Sequence, residues 1–514
     1  MTFLSKPSYV ATDAAASCLR CLIIAVLAGT GGTVFPVAAA TWTFTPQVSL
    51  RGTYTDNVTL AAPGSEQSDF ILETSPGFRL SGEGARLKAN VTYTLQNLTY
   101  LEDSRRNGIN HQLNAMANLE AIEKWFYIDT TARISQQNTS AFGPQAVDNT
   151  SVTSNRTDIF DYSFSPYIKG PLGADTEYLV RHNTYGVSGG SGQLARSQTN
   201  ELIGRLRGLR PQRVFNWGLD YSHRETDYDN RSPTETTYYF GTIYARIDTD
   251  LTVSANVGHE TSNFTLSEQS SMTHGFGFEW TPSGATSVTG QYDDRVHGSN
   301  YSLIAKHRRP RSSFDISLVR NYTSTSEALF RGNGTTIYDQ LYQATPTTLT
   351  PAQRDALVLA ALQSAGISPN FVPTLGLSTN QIVAQRRLQA SFALIGARNT
   401  VTFTAYKAEI ESISQGFVIA DDVSNFSSVH QTGLNVTLNH RLTPLTSLNA
   451  FYGHTRSSGE GTSSQTSTQD FVNVAMNTKL SPKTTASIGL RHVRSSGTTS
   501  YRENAVHAGV NLSF

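Results

Sequence analysis

The sequence predicts an all-β chain: a transmembrane antiparallel β-barrel of about 22 strands (range 18–22), with short periplasmic turns, long extracellular loops and one helix-bearing insertion. Three observations predict it. Runs of about ten residues alternate apolar and polar side chains. The turns between these runs are alternately short and long, and the last run stops mid-alternation on an aromatic residue, Phe514.

The alternation is the primary signal. Leu87, Ala89, Val91, Tyr93 and Leu95 fall on one side of an extended chain, and Lys88, Asn90, Thr92 and Thr94 on the other. Phe215, Trp217, Leu219 and Tyr221 repeat the pattern, as do Leu434, Val436 and Leu438. Short connections use Pro, Gly and Asp, the residues of tight turns: SGEG (81–84), GPLG (170–173), RPQR (210–213), DTD (248–250), TPSG (281–284), RRPR (308–311), LTP (442–444) and SPK (481–483). Long polar connections are expected at 138–156, 187–197 and 457–469. A soluble propeller or tandem sandwich would share the alternation but not this asymmetry of turn length. The final strand places Val510, Leu512 and Phe514 on its apolar face, the pattern expected of a barrel-assembly signal.

Composition agrees. Only 38% of residues are hydrophobic and 16% charged, both below the usual values for soluble domains, and formal net charge is zero. A balanced charge gives no basis for nucleic-acid binding. Residues 1–40 read as a secretory signal peptide: Lys6 and Arg20 precede the apolar run Cys21–Gly29, and Ala38–Ala40 supplies the small-residue cleavage pattern. Both cysteines, Cys18 and Cys21, lie within it, leaving residues 41–514 as a cysteine-free barrel. Strand alternation is legible from Val48, directly after the signal, which leaves no room for the N-terminal plug of a TonB-dependent receptor.

One insertion, 323–385, interrupts the rhythm. Thr350 can cap a helix, Pro351 suits its first position and Gly366 ends it, predicting a helix over about 351–365. Two placements stay open: packed over the barrel rim, or folded into the lumen as a constriction.

The polar faces of the strands supply the candidate site. Arg51, Arg79, Arg86, Lys88, Arg133, Arg205, Arg207, Tyr244, Arg246, Arg387 and Arg441 are expected to line the lumen, with Glu73, Asp129 and Asp315 among them. On the lipid side each charge would cost about 2–4 kcal/mol at mid-depth, so these groups need water or partners. Arginine forks bind carboxylates, and tyrosine and amide groups suit sugar hydroxyls. Two outcomes fit such a lining: a salt-bridged, partly plugged interior, or a wide polar channel for an acidic or polar polymer. Trp125, Trp217 and Trp280, beside short turns, are expected to form an interfacial girdle. Gly186–Gly190 matches G-x-S-x-G but lacks the following helix of a hydrolase elbow, and no spacing selects a partner among His182, His259 and His492. No catalytic, cofactor-binding or metal-ligating residue is assigned. A lipid-modifying hydrolase is the weakest alternative, and a closed structural or adhesive barrel acting through its loops the stronger.

The stretch Trp42–Leu80, with PQVSLRGTYTDNV followed by SDFILETSPGF, resembles the outer-membrane β-barrel proteins associated with the PEP-CTERM/exosortase system of exopolysaccharide-producing Gram-negative bacteria. The resemblance extends along the whole of residues 41–514, insertion and aromatic end included. It implies an outer-membrane location and a porin-like part in the export or surface assembly of exopolysaccharide. Implied partners are outer-membrane lipid and lipopolysaccharide, the barrel-assembly machinery, and periplasmic polysaccharide-export proteins with their polysaccharide. It implies no cofactor.

Overall fold

The computed structural model describes residues 40–514 except 191–193, 209–213, 230, 266, 332–357, 359–361, 363–378, 414–420 and 462–463. The expected signal peptide, the turn at 210–213 and most of the expected helix at 351–365 lie outside the described residues.

Among the described residues 22 strands form one sheet. They are β1 Thr41–Thr55, β2 Asp69–Glu83, β3 Leu87–Tyr100, β4 Gly108–Ile122, β5 Phe126–Asn138, β6 Arg156–Pro171, β7 Thr176–Gly189, β8 Ser197–Gly208, β9 Phe215–Tyr228, β10 Arg231–Arg246 and β11 Leu251–Ser262. The remainder are β12 Gln269–Ser283, β13 Thr286–Arg295, β14 Gly298–Arg309, β15 Ser312–Thr323, β16 Val383–Ile395, β17 Asn399–Ser412, β18 Ser428–Arg441, β19 Thr446–Glu460, β20 Gln465–Ser481, β21 Thr484–Gly497 and β22 Tyr501–Ser513. Every strand pairs antiparallel with its neighbours in sequence. The ring closes where β1 meets β22, from Gln47↔Ser513 to Thr55↔Ala505. Closure leaves no free sheet edge, so backbone groups are satisfied without water.

The alternation sorts the wall into two faces. Leu50 and Tyr54 of β1, Phe70 and Leu72 of β2, and Leu490 of β21 are exposed on the outside, whereas Thr53, Thr55, Glu73 and Ser75 are buried on the inside. An apolar outer wall of this extent is stable only against lipid, so the molecule is an outer-membrane-type transmembrane barrel. Trp42, Trp125, Trp217 and Trp280 all project from the short-turn end, with Trp125 donating to the Tyr178 hydroxyl at 2.9 Å. This is the expected girdle.

At one rim the connections are short, as at 84–86, 123–125, 284–285 and 482–483. At the other they include 56–68, 139–155, 324–382 and 413–427. Two expectations need correction here. Residues 457–469 are mainly strand, because β19 continues to Glu460 and β20 starts at Gln465. Small polar residues fill both faces of that hairpin, so it carries no apolar alternation. Arg86 is not a lumen residue. It lies in the turn between β2 and β3, ion-paired with Glu123 of the next short turn.

Candidate functional site: a polar lumen with inward-folded loops

Strand register places the lumen-facing groups. Arg51 stands opposite Glu73, Arg133 opposite Asp161, Arg205 opposite Asp220, and Tyr244 opposite Asn216. Arg79 lies between Thr45 and Thr92, and Arg387 between Val319 and Ala408. Lys88, Arg246 and Arg441 belong to the inward register at the short-turn rim. Of the residues named from the sequence, Arg86 alone falls outside the inward rows of the strands.

Near the short-turn rim the cations remain accessible. Arg205 and Arg207 share Asp220, at 3.0 Å and 2.6 Å, and the Arg207 guanidinium lies 5.7 Å from the Tyr244 ring centroid. Arg181 reaches Asp129 at 3.0 Å and rests on the Tyr167 ring at 4.0 Å. Arg79, Lys88, Arg246 and Arg441 are half-buried or exposed. This half of the lumen is wet and rich in cations.

In the opposite half two long connections fold inward against the wall. Residues 139–155, between β5 and β6, run along the inside of the wall to β20–β22. Asp148 pairs with Arg491, which also holds Glu503 at 2.6 Å; Glu503 in turn accepts from Thr55 at 2.9 Å. The side chains of Arg491, Asp148 and Glu503 are only 2%, 5% and 1% exposed. The Gln145 carbonyl accepts from Tyr501 at 3.0 Å and Gln469 at 2.9 Å. Asn149 donates to Gln96 at 2.7 Å, and Tyr100 to the Thr150 carbonyl at 2.9 Å. Burial pushes the Asp148 carboxyl up, but Arg491 and Arg51 outweigh it and hold the group at about 2.

The second connection, 324–382, joins β15 to β16. Its first turn is α1 (Thr325–Arg331), which lies on the lumen side of β6–β8. Phe330 stacks on Tyr185 with centroids 4.2 Å apart. Glu327 pairs with Arg224 at 2.7 Å, Arg331 with Glu201 at 2.8 Å, and Arg133 donates to the Leu329 carbonyl at 2.8 Å. Further along, Val358 and Leu362 are helical and buried among Leu60, Ala146, Phe451, Phe471, Val493 and Tyr501. The insertion thus touches β6–β8 and, separately, β19–β22. Of the two placements left open by the sequence, its described residues adopt the one inside the lumen.

A third connection, 413–427, ties these together. Its short helix α2 (Asp422–Asn425) is capped by Asp421, which also accepts from Thr379 at 2.8 Å. Asp422 accepts from the Ala141 amide at 2.6 Å and Ser140 at 2.8 Å, and Phe142 packs on Phe426 at 5.0 Å. Sequence reasoning missed α1 and the Asp148–Arg491–Glu503 cluster. The available signal was Arg491 itself, the one charged residue in the inward register of a strand whose other inward residues are small or apolar, Ser487, Gly489, Val493 and Ser495 among them.

Ser188 of the G-x-S-x-G match lies within β7 opposite Phe160, not on a strand-to-helix elbow. Histidine–hydroxyl contacts recur along the outer wall, including His259–Ser270 at 2.8 Å and His223–Thr237 at 2.9 Å, as expected for strands rich in Ser and Thr. Among the described residues no group of three or more His, Cys, Asp or Glu side chains is arranged to hold a metal ion.

No family model matches this sequence, and no curated protein matches it. Solved barrels superpose on it distantly. The FrpB iron transporter of Neisseria meningitidis is 8% identical over 91% of this chain and 81% of its own, with a TM-score of 0.49. The siderophore receptor PirA of Pseudomonas aeruginosa is 10% identical over 92% and 80%, with a TM-score of 0.40. A loop-deletion mutant of OmpT, an outer membrane protein of Vibrio cholerae, is 10% identical over 93% and 100%, with a TM-score of 0.31. At these values the similarity carries no functional argument; the pairing ladder itself establishes the barrel.

Proposed function

We propose that the protein is a gated outer-membrane channel for an acidic extracellular polysaccharide. On this reading it is exported by a cleaved signal peptide, inserted by the barrel-assembly machinery, and belongs with the PEP-CTERM/exosortase-associated barrels that its sequence resembles. The observation that supports it best is the division of the lumen. A half whose accessible lining includes Arg79, Arg181, Arg205, Arg207 and Arg246 leads to a mouth into which two chain segments fold, held to the wall through side-chain contacts. Ion pairs and single aromatic contacts break and reform, so such an attachment is reversible. The cationic half would gather a polyanion and hold it in many weak contacts. No catalytic step is assigned, and the drive for transport would come from periplasmic and inner-membrane partners.

The second reading, a permanently closed barrel acting through its surface loops, is favoured by the depth at which Arg491, Asp148 and Glu503 are buried. Single-channel conductance in planar bilayers separates the two. The channel reading expects small, intermittent conductance for the intact chain and a large, steady one when 325–379 is replaced by a short linker. Acidic polysaccharide added on the short-turn side should then block the current, and neutral dextran of equal size should not. No conductance in either form would select the closed barrel.

A further inference from the structure

The outward register of β15–β22 carries a sector of cations in its extracellular third that face away from the lumen. Arg320, Arg386, Lys407, Arg456, Arg494 and Arg502 all belong to the lipid-facing rows. Arg320 is directly opposite Arg386, and Arg494 directly opposite Arg502. Like charges facing each other across a ladder repel. Arg320 is engaged by the Ser299 carbonyl and Tyr322. The exposed side chains of Arg386, Lys407, Arg456, Arg494 and Arg502 have no hydrogen-bond or ion-pair partner among the described residues.

Two of these cations do stand directly opposite a carboxylate, Arg386 opposite Glu409 and Arg494 opposite Asp470, but neither forms an ion pair with it among the described residues. Glu409 and Glu460 face His430 at 3.9 Å and 3.7 Å, Asp470 is taken by His454 at 2.8 Å, and Glu411 is exposed at the rim. The corresponding outward rows of β6–β13 have the opposite character, with Asp158, Glu225, Asp227, Glu235 and Asp294. There the one outward arginine among the described residues, Arg156, is held by the Asp148 and Asn149 carbonyls. The cations are thus gathered on one side of the barrel.

Their spacing suits an amphiphile. Lys407, Thr432 and Arg456 share one rung, and His454, Asp470, Arg494 and Arg502 share the next. Residues two strands apart on a rung are about 10 Å apart, within the joint reach of two long side chains. Directly toward the membrane on the same strands come Phe403, Tyr452, Leu490 and Val506, all exposed. Anionic head groups would meet the cations while acyl chains lie on the apolar wall below.

We propose that Arg456, Arg494 and Arg502, with Lys407 beside them, form a site for the phosphate groups of an anionic glycolipid of the outer leaflet. The guanidinium forks bind phosphate oxygens bidentately, and the bound phosphates remove the repulsion between Arg494 and Arg502. The site is independent of the lumen and stands whether or not the channel reading does.

The test is native mass spectrometry of the full chain in detergent, titrated with a bisphosphorylated lipid A and with its dephosphorylated form. Wild type should prefer the bisphosphorylated lipid. The R456Q/R494Q/R502Q variant should bind it roughly a hundredfold more weakly, from three cations at about tenfold or less each. R502Q alone should show a smaller drop, and an E225Q/E235Q/D294N variant on the opposite sector none. Heat-modifiable gel migration confirms that each variant is folded, and R502Q serves if the triple variant is not. Four outcomes would overturn the proposal. They are wild-type affinity in the arginine variants, equal loss for the dephosphorylated lipid, full displacement by millimolar inorganic phosphate, or arginine-dependent crosslinking of two copies in place of lipid binding.

Discussion

Asp148 and Arg491 are 343 positions apart in sequence, yet they form a buried ion pair inside the barrel. Asp148 comes from a loop between β5 and β6, and Arg491 from the penultimate strand. The pair joins a loop to the barrel wall, and losing either partner leaves a buried charge uncompensated.

Replacing Arg491 with Met should leave Asp148 and Glu503 buried without the cation that pairs with both, with only Arg51 left to act on Asp148. Removing one partner of a buried pair costs about 3–5 kcal/mol, so the 139–155 loop is expected to leave the lumen while the barrel stays intact. Limited proteolysis should then cut within 139–155, with heat-modifiable migration unchanged. Resistance equal to wild type would show that Tyr501, Gln469 and Asn149 hold the loop by themselves.

The same pair sets a pH dependence. The docked-state Asp148 carboxyl is depressed from 3.8 to about 2. A depressed acid contributes stability that is fully present above its ordinary value and is lost as pH falls through the docked value. Conductance and protease resistance should therefore be flat across neutral and mildly acidic pH and change only as pH falls from 3.8 toward about 2. A transition near neutrality would point to a different group.

Phe330→Ala removes the stacked ring on Tyr185, a contact worth about 0.5–1.5 kcal/mol beyond its buried area. Combined with Glu327→Gln, which breaks the pair with Arg224, it should release α1 from β6–β8. Faster cleavage in 324–382 and a larger mean conductance are the expected readouts. Unchanged values would make the Val358 and Leu362 contacts the principal anchor.

Asp220→Asn leaves Arg205 and Arg207 without their shared carboxylate. In a conducting, loop-deleted channel the reversal potential under a salt gradient should shift toward anion selectivity. No shift would mean that ions do not pass this part of the lumen.

The Phe514 amide donates to the Pro46 carbonyl at 2.9 Å, and Leu512 pairs with Val48 at the closing seam. Phe514→Ala, and more strongly removal of Leu512–Phe514, should lower the amount of inserted barrel. Quantitative immunoblots of outer membranes, before and after boiling, measure it. Normal levels of both variants would remove the assembly role of the terminal residues.

The barrel was legible because its determinant is local. A wall with lipid on one side and water on the other imposes a period of two on every strand, and tight turns demand Pro, Gly and Asp. Leu87–Leu95 and Phe215–Tyr221 therefore announce their own faces. The errors arose where that pressure stops. Arg86 sits just outside its strand, and the 457–469 hairpin rises beyond the apolar band, where both faces are polar.

The sequence by itself determined the strand meander, its two faces, the tryptophan girdle and most of the inward-facing cations. Only the tertiary structure decided which connections fold inward, and against which strands. Asp148 with Arg491, Phe330 with Tyr185, and Leu362 with Phe451 are brought together by closure of the ring. Contacts between residues so far apart in sequence have no periodicity to betray them, because they depend on which strands end up facing each other across the lumen.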